Sequence, residues 1–402
     1  MDTPSEDRID AAGLAGAGIV VRTPIVESPG LSERTGGIIV LKAENLQRTG
    51  SFKLRGALAR LAELGADDRA RGVVAGSAGN HGQSLAYAAK VAGIACQVFV
   101  PRGASIAKCE AIRSHGASVS EAGDSVDDAV AAARDRAAET GATFVSPYDD
   151  LAIIAGQATL GRELVADIPG LRRVVVPLGG GGLISGVALA VKRHDPSIRV
   201  IGVQVASCAP YANQPVADGP VATLADGIAV KRPGALTKPI VDQYVDDIVT
   251  VTEDEVGDAM VYLMERSHLY VEGGGAVGVA ALLSGDTVPA RSGVTCVVLS
   301  GGNVDLGTIP ALIRRHETRA GRRVILYARI SDRPGALARL LTLIGEQGGN
   351  LVEVEHVREG VELHVRETGV QIVTEVRDRA HALTIVAAAR ASGHDVGELQ
   401  PR

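Results

Sequence analysis

The sequence predicts an α/β fold in two modules, a large domain with a parallel sheet and a small C-terminal domain. Near-continuous apolar runs rich in β-branched residues alternate with longer alanine-rich helical patterns over about residues 38–315. Such alternation is typical of a parallel sheet that helices cover on both faces. After the charged segment RAGRRV at 319–324, strand patterns become more frequent, which indicates a second module.

Six apolar runs are predicted to be buried strands of the large domain. They lie at 38–44, 72–76, 96–101, 172–179, 198–205 and 294–300. Helices are predicted between them, at 79–92, 104–116, 125–140 and 182–194. Ligands of such sheets bind in loops at the carboxyl ends of strands. Functional residues are therefore expected in these loops, where glycine, serine and asparagine are concentrated.

The small domain is predicted to have the order βαββαβ of a ferredoxin-like fold. Its strand patterns are RVILYARI, NLVEVEHV and GVQIVTEV, with helical patterns at 334–347 and 379–392. We expect Asp332 to cap the first of these helices and Pro334 to lie in its first turn. The apolar face of that helix is predicted to consist of Ala336, Leu337, Leu340 and Leu341.

Composition excludes several classes of protein. The 402 residues are 46% hydrophobic and 22% charged, with a formal net charge of −6 and no basic cluster, so we expect no nucleic-acid partner. The four cysteines are far apart and form no CxxC pair, which predicts neither a disulfide framework nor a zinc site. A polar N-terminus and the lack of an apolar run of about 18 residues predict a cytoplasmic protein without membrane segments.

The stretch PLGGGGLISG places four glycines, at 179–182, between a predicted strand and a predicted helix. Glycine leaves backbone N–H groups accessible, and the helix N-terminus adds positive potential, so this loop is predicted to bind an anion such as a phosphate. A tight turn with close packing is the structural alternative. The loop lacks the Gly-Lys-Ser/Thr ending of a P-loop, which argues against a nucleoside triphosphate.

Two further strand ends carry polar residues. In GSAGNHGQ, donors suited to a small carboxylate come from Ser77, Gly79, Asn80 and His81. Ser77 or Asn80 could equally cap the following helix. In VVLSGGNVD, Ser300 precedes a Gly-Gly turn, where it could be a plain turn residue. No G-x-S-x-G motif surrounds Ser300, which disfavours a serine hydrolase.

Lys53 follows Gly50 and Ser51 at the predicted opening of a helix, and only seven of the 41 Lys and Arg residues are lysine. A solvated surface lysine is the plain alternative. A lysine amine can form a Schiff base with a carbonyl cofactor, and a phosphate-binding loop could hold that cofactor. The lysine, the Asn80 loop and the glycine loop together predict pyridoxal 5'-phosphate as cofactor.

The motifs SFKLRGA, SAGNHGQ, GGGGLISG and LSGGNVD, in this order and spacing, resemble the threonine and serine dehydratases of pyridoxal-phosphate fold type II. The segments DRPGALARLL and GGNLVEVEH resemble an ACT regulatory domain, as in threonine ammonia-lyases of medium length. The resemblance covers about residues 20–402. It implies two open, mostly parallel sheets in a catalytic domain at 1–320, with a smaller subdomain at about 43–147, and an ACT domain at 321–402.

The resemblance implies a role for each matching residue. Lys53 would form the Schiff base, Asn80 would donate to the cofactor's 3-oxygen, and Ser300 would face its pyridine nitrogen. The phosphate would be held by the backbone N–H groups of Gly179, Gly180, Gly181, Gly182 and Leu183. The substrate carboxylate would be surrounded by Ser77, Ala78, Gly79, Asn80 and His81.

The implied reaction is the dehydration and deamination of L-threonine to 2-oxobutanoate and ammonia, with secondary activity on L-serine. The substrate amine would displace Lys53, and the freed lysine would then remove the α-proton. Ala78 stands where serine racemases of this family carry a second serine, which disfavours racemisation. Gln204 stands where their metal-binding acidic cluster would be, so no metal is assigned.

For the ACT domain the resemblance implies sensing of isoleucine or valine, and the residues expected near the effector are Asp332, Arg333, Pro334, Gly335 and Asn350. A domain that only aids oligomerisation is the alternative. A homodimer or homotetramer is expected by resemblance alone. Other functions left open are a serine or threonine racemase, a 3-hydroxyaspartate dehydratase, a β-replacement synthase and a non-enzymatic amino-acid sensor.

Overall fold

The computed structural model describes residues 2–214, 216, 219, 221–359 and 363–398. It divides into two compact units, 1–305 and 306–402. This division precedes the expected domain boundary at 320/321, since the helix at 309–319 falls in the second unit. Within the described ranges, helices are either too short or too polar to cross a membrane.

The strands of the first unit form two sheets. In chain order they are β1 (Ile25–Glu27), β2 (Ile38–Ala43), β3 (Val73–Gly76), β4 (Cys96–Val100), β5 (Ser118–Glu121), β6 (Thr143–Phe144), β7 (Leu171–Pro177), β8 (Arg199–Val205), β9 (Asp247–Val251) and β10 (Val294–Leu299). The larger sheet has the order β1-β2-β10-β7-β8-β9, with only β1 antiparallel to its neighbour. The smaller sheet, β5-β4-β3-β6, is parallel. The predicted pair of open, mostly parallel sheets is confirmed.

All six strands predicted in the large domain are present, as β2, β3, β4, β7, β8 and β10. Four strands were not predicted from the sequence: β1, β5, β6 and β9, which are the edge strands of the two sheets. An edge strand has one paired neighbour and more contact with solvent, so it needs no continuous apolar run. The burial of β5 shows this, because none of its four residues is buried.

Helices cover these sheets. They are α1 (Glu6–Gly16), α2 (Pro29–Thr35), α3 (Lys53–Ala62), α4 (Ala66–Arg71), α5 (Asn80–Ala92), α6 (Ile106–Ser114), α7 (Val126–Thr140), α8 (Leu151–Asp167), α9 (Gly182–His194), α10 (Thr237–Tyr244), α11 (Glu253–Tyr262) and α12 (Gly273–Ser284). The four helices predicted from the sequence are α5, α6, α7 and α9. The core between sheet and helices is aliphatic, and Cys296 lies in it as a fully buried free thiol.

A buried ion cluster anchors α3, the helix that begins with Lys53. The guanidinium of Arg55 donates to both carboxylate oxygens of Glu44, at 2.8 and 2.9 Å, and to Glu163 at 2.7 Å. The ammonium of Lys42 also donates to Glu163, at 2.6 Å. These side chains are almost completely buried, so the cluster fixes the first turn of α3 against the large sheet and α8.

Replacing Arg55 with Met is expected to lower the free energy of unfolding by about 3–5 kcal/mol, because it leaves the buried carboxylate of Glu44 without its ion-pair partner. Urea denaturation of the purified variant measures this. Arg60→Met is the control on the same helix: Arg60 pairs with Asp150 at 3.0 Å, and their side chains are 23% and 24% exposed. We expect a loss below about 1 kcal/mol there. Equal losses in the two variants would contradict an anchoring role of Arg55.

The second unit begins with α13 (Ile309–Arg319) and continues in βαββαβ order. Its elements are β11 (Arg323–Ser331), α14 (Ala336–Glu346), β12 (Asn350–Val357), β13 (Glu367–Glu375), α15 (Arg379–Ala391) and β14 (Asp395–Glu398). The sheet order is β12-β13-β11-β14, and each pair of neighbours is antiparallel. The ferredoxin-like topology predicted for this part of the chain is confirmed.

Helix α14 begins later than predicted. Its N-cap is Gly335, in a left-handed conformation with φ 84°, and no side chain caps it. The prediction that Asp332 caps this helix is therefore wrong, and Pro334 lies before the helix, not in its first turn. The carboxylate of Asp332 pairs instead with Arg358 at 3.3 Å. The predicted apolar face packs on the core of the second unit through Ala336, Leu337, Leu340 and Leu341.

Candidate active site

One cavity of the first unit brings together loops from both sheets. Its wall contains all the residues expected to hold the cofactor: Lys53, Asn80, Gly179, Gly180, Gly181, Gly182, Leu183 and Ser300. It also contains six residues that the sequence analysis did not single out: Phe52, Tyr148, Pro177, Gly227, Ile228 and Glu272. The wall therefore combines an amine, an amide, a hydroxyl, a carboxyl and a glycine-rich backbone.

Lys53 begins α3 and is tied to the end of β10 by its neighbours. Phe52 N donates to Ser300 O at 3.1 Å, and Ser51 forms a β-bridge with Gly301. The Nζ of Lys53 donates to Pro147 O at 2.8 Å. Burial lowers the pKa of Lys53 from 10.5 to about 8, against the opposing charge of Glu272. A substantial fraction of this amine is consequently neutral near pH 8, as a nucleophile or a base requires.

The glycine loop leaves no room for side chains. A Cβ built on Gly180 would lie 2.3 Å from the ring of Tyr148, and one on Gly181 would lie 2.4 Å from Tyr211 Oη. Gly181 is also the N-cap of α9, with φ 95°, a conformation that favours glycine. The plain alternative, a tight turn with close packing, accounts for these contacts but not for the loop's position on the cavity wall. At that position its backbone and the N-terminus of α9 offer N–H groups to an anion.

Two hydroxyl groups hold the carbonyl of Gly180. Thr237 Oγ1 donates to Gly180 O at 2.7 Å, and Tyr211 Oη donates to the same oxygen at 3.1 Å. In a trans peptide the carbonyl and the following N–H point in opposite directions. The N–H of Gly181 therefore points away from Tyr211 and Thr237, which fixes the direction of one donor of the loop.

Ser300 follows β10 and is 3% exposed. Among the residues that the structure describes, its hydroxyl has one hydrogen-bond contact, a long one of 3.5 Å to Gly274 O. Hydroxyl hydrogen bonds are usually about 2.5–3.0 Å, so this contact uses little of the capacity of the group. The hydroxyl can donate to, or accept from, a ligand atom in the cavity.

Asn80 lies at the first position of α5, whose N-cap is Gly79 without a side-chain cap. The amide of Asn80 is bonded across the cavity instead: Nδ2 donates to Glu272 Oε1 at 2.6 Å, and Oδ1 accepts from Asn303 Nδ2 at 2.7 Å. The capping alternative for Asn80 therefore does not describe this side chain. One N–H of its amide is left for a further acceptor.

Glu272 is a residue that the sequence analysis missed. It is 6% exposed and precedes α12. Burial raises the pKa of its carboxyl group from 4.5 to about 7, and the carboxylate of Asp226 contributes to the rise. The hydrogen bond from Asn80 opposes this shift. The available signal was a glutamate directly before three glycines and an apolar helix, in VEGGGAVGVA.

The other residues expected at the substrate carboxylate lie beside Asn80. Ser77 Oγ accepts from Gly79 N at 3.2 Å, and Ala78 packs against the core of the small sheet. His81 is buried, and its Nε2 contacts Val145 O at 2.9 Å. Burial, together with the charge of Lys53, lowers the pKa of His81 to about 3. The imidazole is thus neutral at ordinary pH and serves as a structural hydrogen-bonding group.

Gln204 lies in β8 and bonds to residues that follow strands of the larger sheet: its Nε2 donates to Leu178 O at 3.2 Å, and its Oε1 accepts from Tyr211 N at 2.9 Å.

In the second unit, Asp332, Arg333, Pro334 and Gly335 form the turn between β11 and α14. Asn350 begins β12, and its Nδ2 donates to Glu375 at 2.8 Å.

Comparisons with known proteins agree with this chemistry. The family described as "Pyridoxal-phosphate dependent enzyme" matches residues 17–301. An L-threonine ammonia-lyase of Thermotoga maritima is 43% identical over 385 residues, which are 94% of this chain and 95% of the relative. Among solved structures, maize serine racemase has a TM-score of 0.73 and 33% identity, covering 79% of this chain and 99% of its own. A threonine deaminase from Solanum lycopersicum has a TM-score of 0.71 and 28% identity, covering 78% and 90%.

Proposed function

Because this chain belongs to the pyridoxal-phosphate dependent enzymes, we propose that it dehydrates and deaminates L-threonine to 2-oxobutanoate and ammonia. The enzyme is a lyase that uses pyridoxal phosphate, and L-serine is its secondary substrate. The observation that carries the proposal is the position of Lys53. Its amine, with a pKa lowered to about 8 by burial, lies on the same cavity wall as the glycine loop.

The residues of the cavity fit the cofactor. The glycine loop excludes side chains and offers backbone N–H groups for a phosphate, from Gly179 to Leu183. Lys53 offers the amine for the carbonyl carbon, and the remaining N–H of Asn80 suits the 3-oxygen. Ser300 offers a hydroxyl, not a carboxylate, to the pyridine nitrogen. When bound, pyridoxal phosphate supplies an electron sink for the α-carbon of the substrate.

The reaction requires a base at the α-carbon and a proton for the departing β-hydroxyl. With the cofactor bound, the free Nζ of Lys53 would accept the α-proton, and the β-hydroxyl would leave as water with a proton supplied through the cofactor phosphate. Pro147 O, at 2.8 Å, orients this nitrogen. We assign the substrate carboxylate to Ser77, Ala78, Gly79, Asn80 and His81, at the N-terminus of α5. A neutral His81 keeps the ring hydrogen-bonded to Val145 O and leaves proton transfer to Lys53.

The test is 2-oxo acid release by the purified protein from L-threonine, L-serine and L-threo-3-hydroxyaspartate, each with and without isoleucine. Threonine turnover that exceeds serine turnover would support the proposal. Turnover of 3-hydroxyaspartate alone would assign the enzyme to that substrate instead. Absence of oxo acid from all three would contradict the proposed reaction.

A serine racemase is the second candidate, favoured by the maize structure. Ala78 argues against it, because its methyl group can neither give nor take a proton. We expect the natural protein to form no D-serine from L-serine, and Ala78→Ser to form it slowly while still releasing ammonia. Chiral chromatography of the product measures this, with Ala78→Val as a control that adds volume without a hydroxyl. D-serine from the natural protein would overturn the assignment.

We propose that residues 321–402 act as an ACT domain that senses isoleucine or valine, in a cytoplasmic homodimer or homotetramer. In the chain this domain follows a catalytic domain at 1–320 with a subdomain at about 43–147. The βαββαβ sheet supports this, and the effector would lie near the turn at Asp332, Arg333, Pro334, Gly335 and Asn350. Slower threonine turnover in isoleucine would indicate feedback control and a role in isoleucine biosynthesis. Turnover that neither amino acid changes would contradict this sensing role.

A further inference from the structure

The amide of Asn80 is part of a chain of hydrogen bonds whose direction is set at one end by the backbone. Asn303 Nδ2 donates to Thr49 O at 2.9 Å and to Asn80 Oδ1 at 2.7 Å. A carbonyl oxygen can only accept, so the nitrogen of Asn303 must face Thr49. The same nitrogen then requires the oxygen of Asn80 to face it. The nitrogen of Asn80 is consequently directed to Glu272, at 2.6 Å.

Glu272 completes this chain at the other end. When Glu272 is ionised, above its pKa of about 7, its carboxylate only accepts hydrogen bonds, so rotation of the Asn80 amide by about 180° would place oxygen against oxygen there. At Asn303 the same rotation would place nitrogen against nitrogen whether Glu272 is ionised or not. Both contacts oppose the rotation. A bond from an amide N–H to a carboxylate is also stronger than one between neutral groups. Glu272 therefore selects a single orientation of Asn80.

The space for this pair depends on Gly301. A Cβ at that position would lie 2.3 Å from Glu272 Oε1 and 3.1 Å from Asn80 Nδ2. The backbone of Glu272 is bonded as well, since its N–H donates to Gly301 O at 3.0 Å. Both the side chain and the main chain of Glu272 are thus fixed beside the cavity.

We propose that Glu272 is a positioning residue: with Asn303 it holds the Asn80 amide so that its remaining N–H is presented to the 3-oxygen of the cofactor. The inference rests on the proposed function in taking pyridoxal phosphate as the ligand of the cavity. Glu272 acts through Asn80, and its loss weakens cofactor binding only as far as Asn80 contributes to it.

A double-mutant cycle tests this on the holoenzyme. The variants are Glu272→Ala, Asn80→Ala and the pair, and the measured quantity is the cofactor dissociation constant, followed by visible absorbance. We expect each single variant to raise that constant about tenfold, the worth of one hydrogen bond. The double variant should match Asn80→Ala within about twofold. Effects that multiply to about a hundredfold would overturn the proposal.

Glu272→Gln provides a rescue, since its amide keeps an oxygen that can accept from Asn80. We expect its dissociation constant to stay within about threefold of the natural protein. A loss of cofactor affinity as large as that of Glu272→Ala would mean that the charge of Glu272, and not its positioning of Asn80, supports cofactor binding. Glu255→Gln is the matched control, because Glu255 also lies at a helix N-terminus, in the capping box of α11 away from the cavity. It should bind the cofactor normally.

If Glu272→Ala does not fold, Asn303→Ala and Asn80→Ala form a second double-mutant cycle, at the other end of the chain of hydrogen bonds. Non-additive effects are expected there too, and additive effects would again overturn the proposal. Failure of the proposed function is a separate result. A natural protein without a visible cofactor band would refute the function itself, whereas a coloured protein with an additive cycle would refute only the role of Glu272.

Discussion

Lys53→Ala is expected to lower 2-oxobutanoate release from L-threonine by at least about a thousandfold, because it removes the base at the α-carbon and the amine that carries the cofactor. Within the described part of the chain, the cavity wall offers no second amine. Its other ionisable residues are Tyr148 and Glu272, whose oxygen atoms cannot take the place of the Lys53 amine. The measurement is initial rate at saturating cofactor, together with the visible spectrum of the protein.

Lys90→Ala is the control for this variant. Lys90 lies in the last turn of α5 and is exposed, so its removal should leave the rate and the spectrum unchanged. Far-ultraviolet circular dichroism should be the same for both variants. Substantial threonine turnover by Lys53→Ala would refute the role assigned to this lysine, whatever its effect on the spectrum.

Gly181→Ala is expected to weaken cofactor binding by at least about a hundredfold. The substitution combines two penalties: a left-handed conformation costs a residue with a Cβ about 1–2 kcal/mol, and the new Cβ would lie 2.4 Å from Tyr211 Oη and 2.8 Å from Thr237. Those two hydroxyls orient the carbonyl of Gly180, so their displacement also turns the loop's N–H groups. The measurement is the dissociation constant of pyridoxal phosphate.

Gly13→Ala is the matched control, since Gly13 lies within α1 and a Cβ there would have no atom within 4 Å. We expect it to bind the cofactor normally and to raise the free energy of unfolding by up to about 1 kcal/mol, as alanine does in a helix. Normal cofactor affinity in Gly181→Ala would contradict the assignment of the glycine loop as the phosphate site.

The predictability of each strand followed its position in the sheet. The interior strands β7, β8 and β10 are almost completely buried, so they require the apolar runs that identified them. The edge strand β9 is only half-buried and carries no such requirement. The start of α14 was mispredicted for a related reason. Asp332 is a good capping residue by type, but the N-cap of the helix is the left-handed Gly335, three residues later.

The candidate site was predictable at positions where only one residue type has the required chemical group or backbone conformation. Lys53 and the glycines at 179–182 stand out because no other side chain supplies that amine or permits that backbone. Glu272 and Asn303 did not stand out, since a glutamate before a helix and an asparagine in a turn are common in any chain. Their importance comes from Asn80, which is distant from both in the sequence and bonded to both in space.

The sequence by itself determined the parallel α/β architecture, the βαββαβ module and the set of loops that carry chemistry, because burial and backbone conformation restrict residue types locally. Only the tertiary structure decided which of those loops share a wall, how far burial moves the pKa of Lys53 and Glu272, and which way the Asn80 amide faces. Desolvation and hydrogen bonding depend on all the neighbours of a group at once. Those neighbours come from segments that only the folded chain brings together.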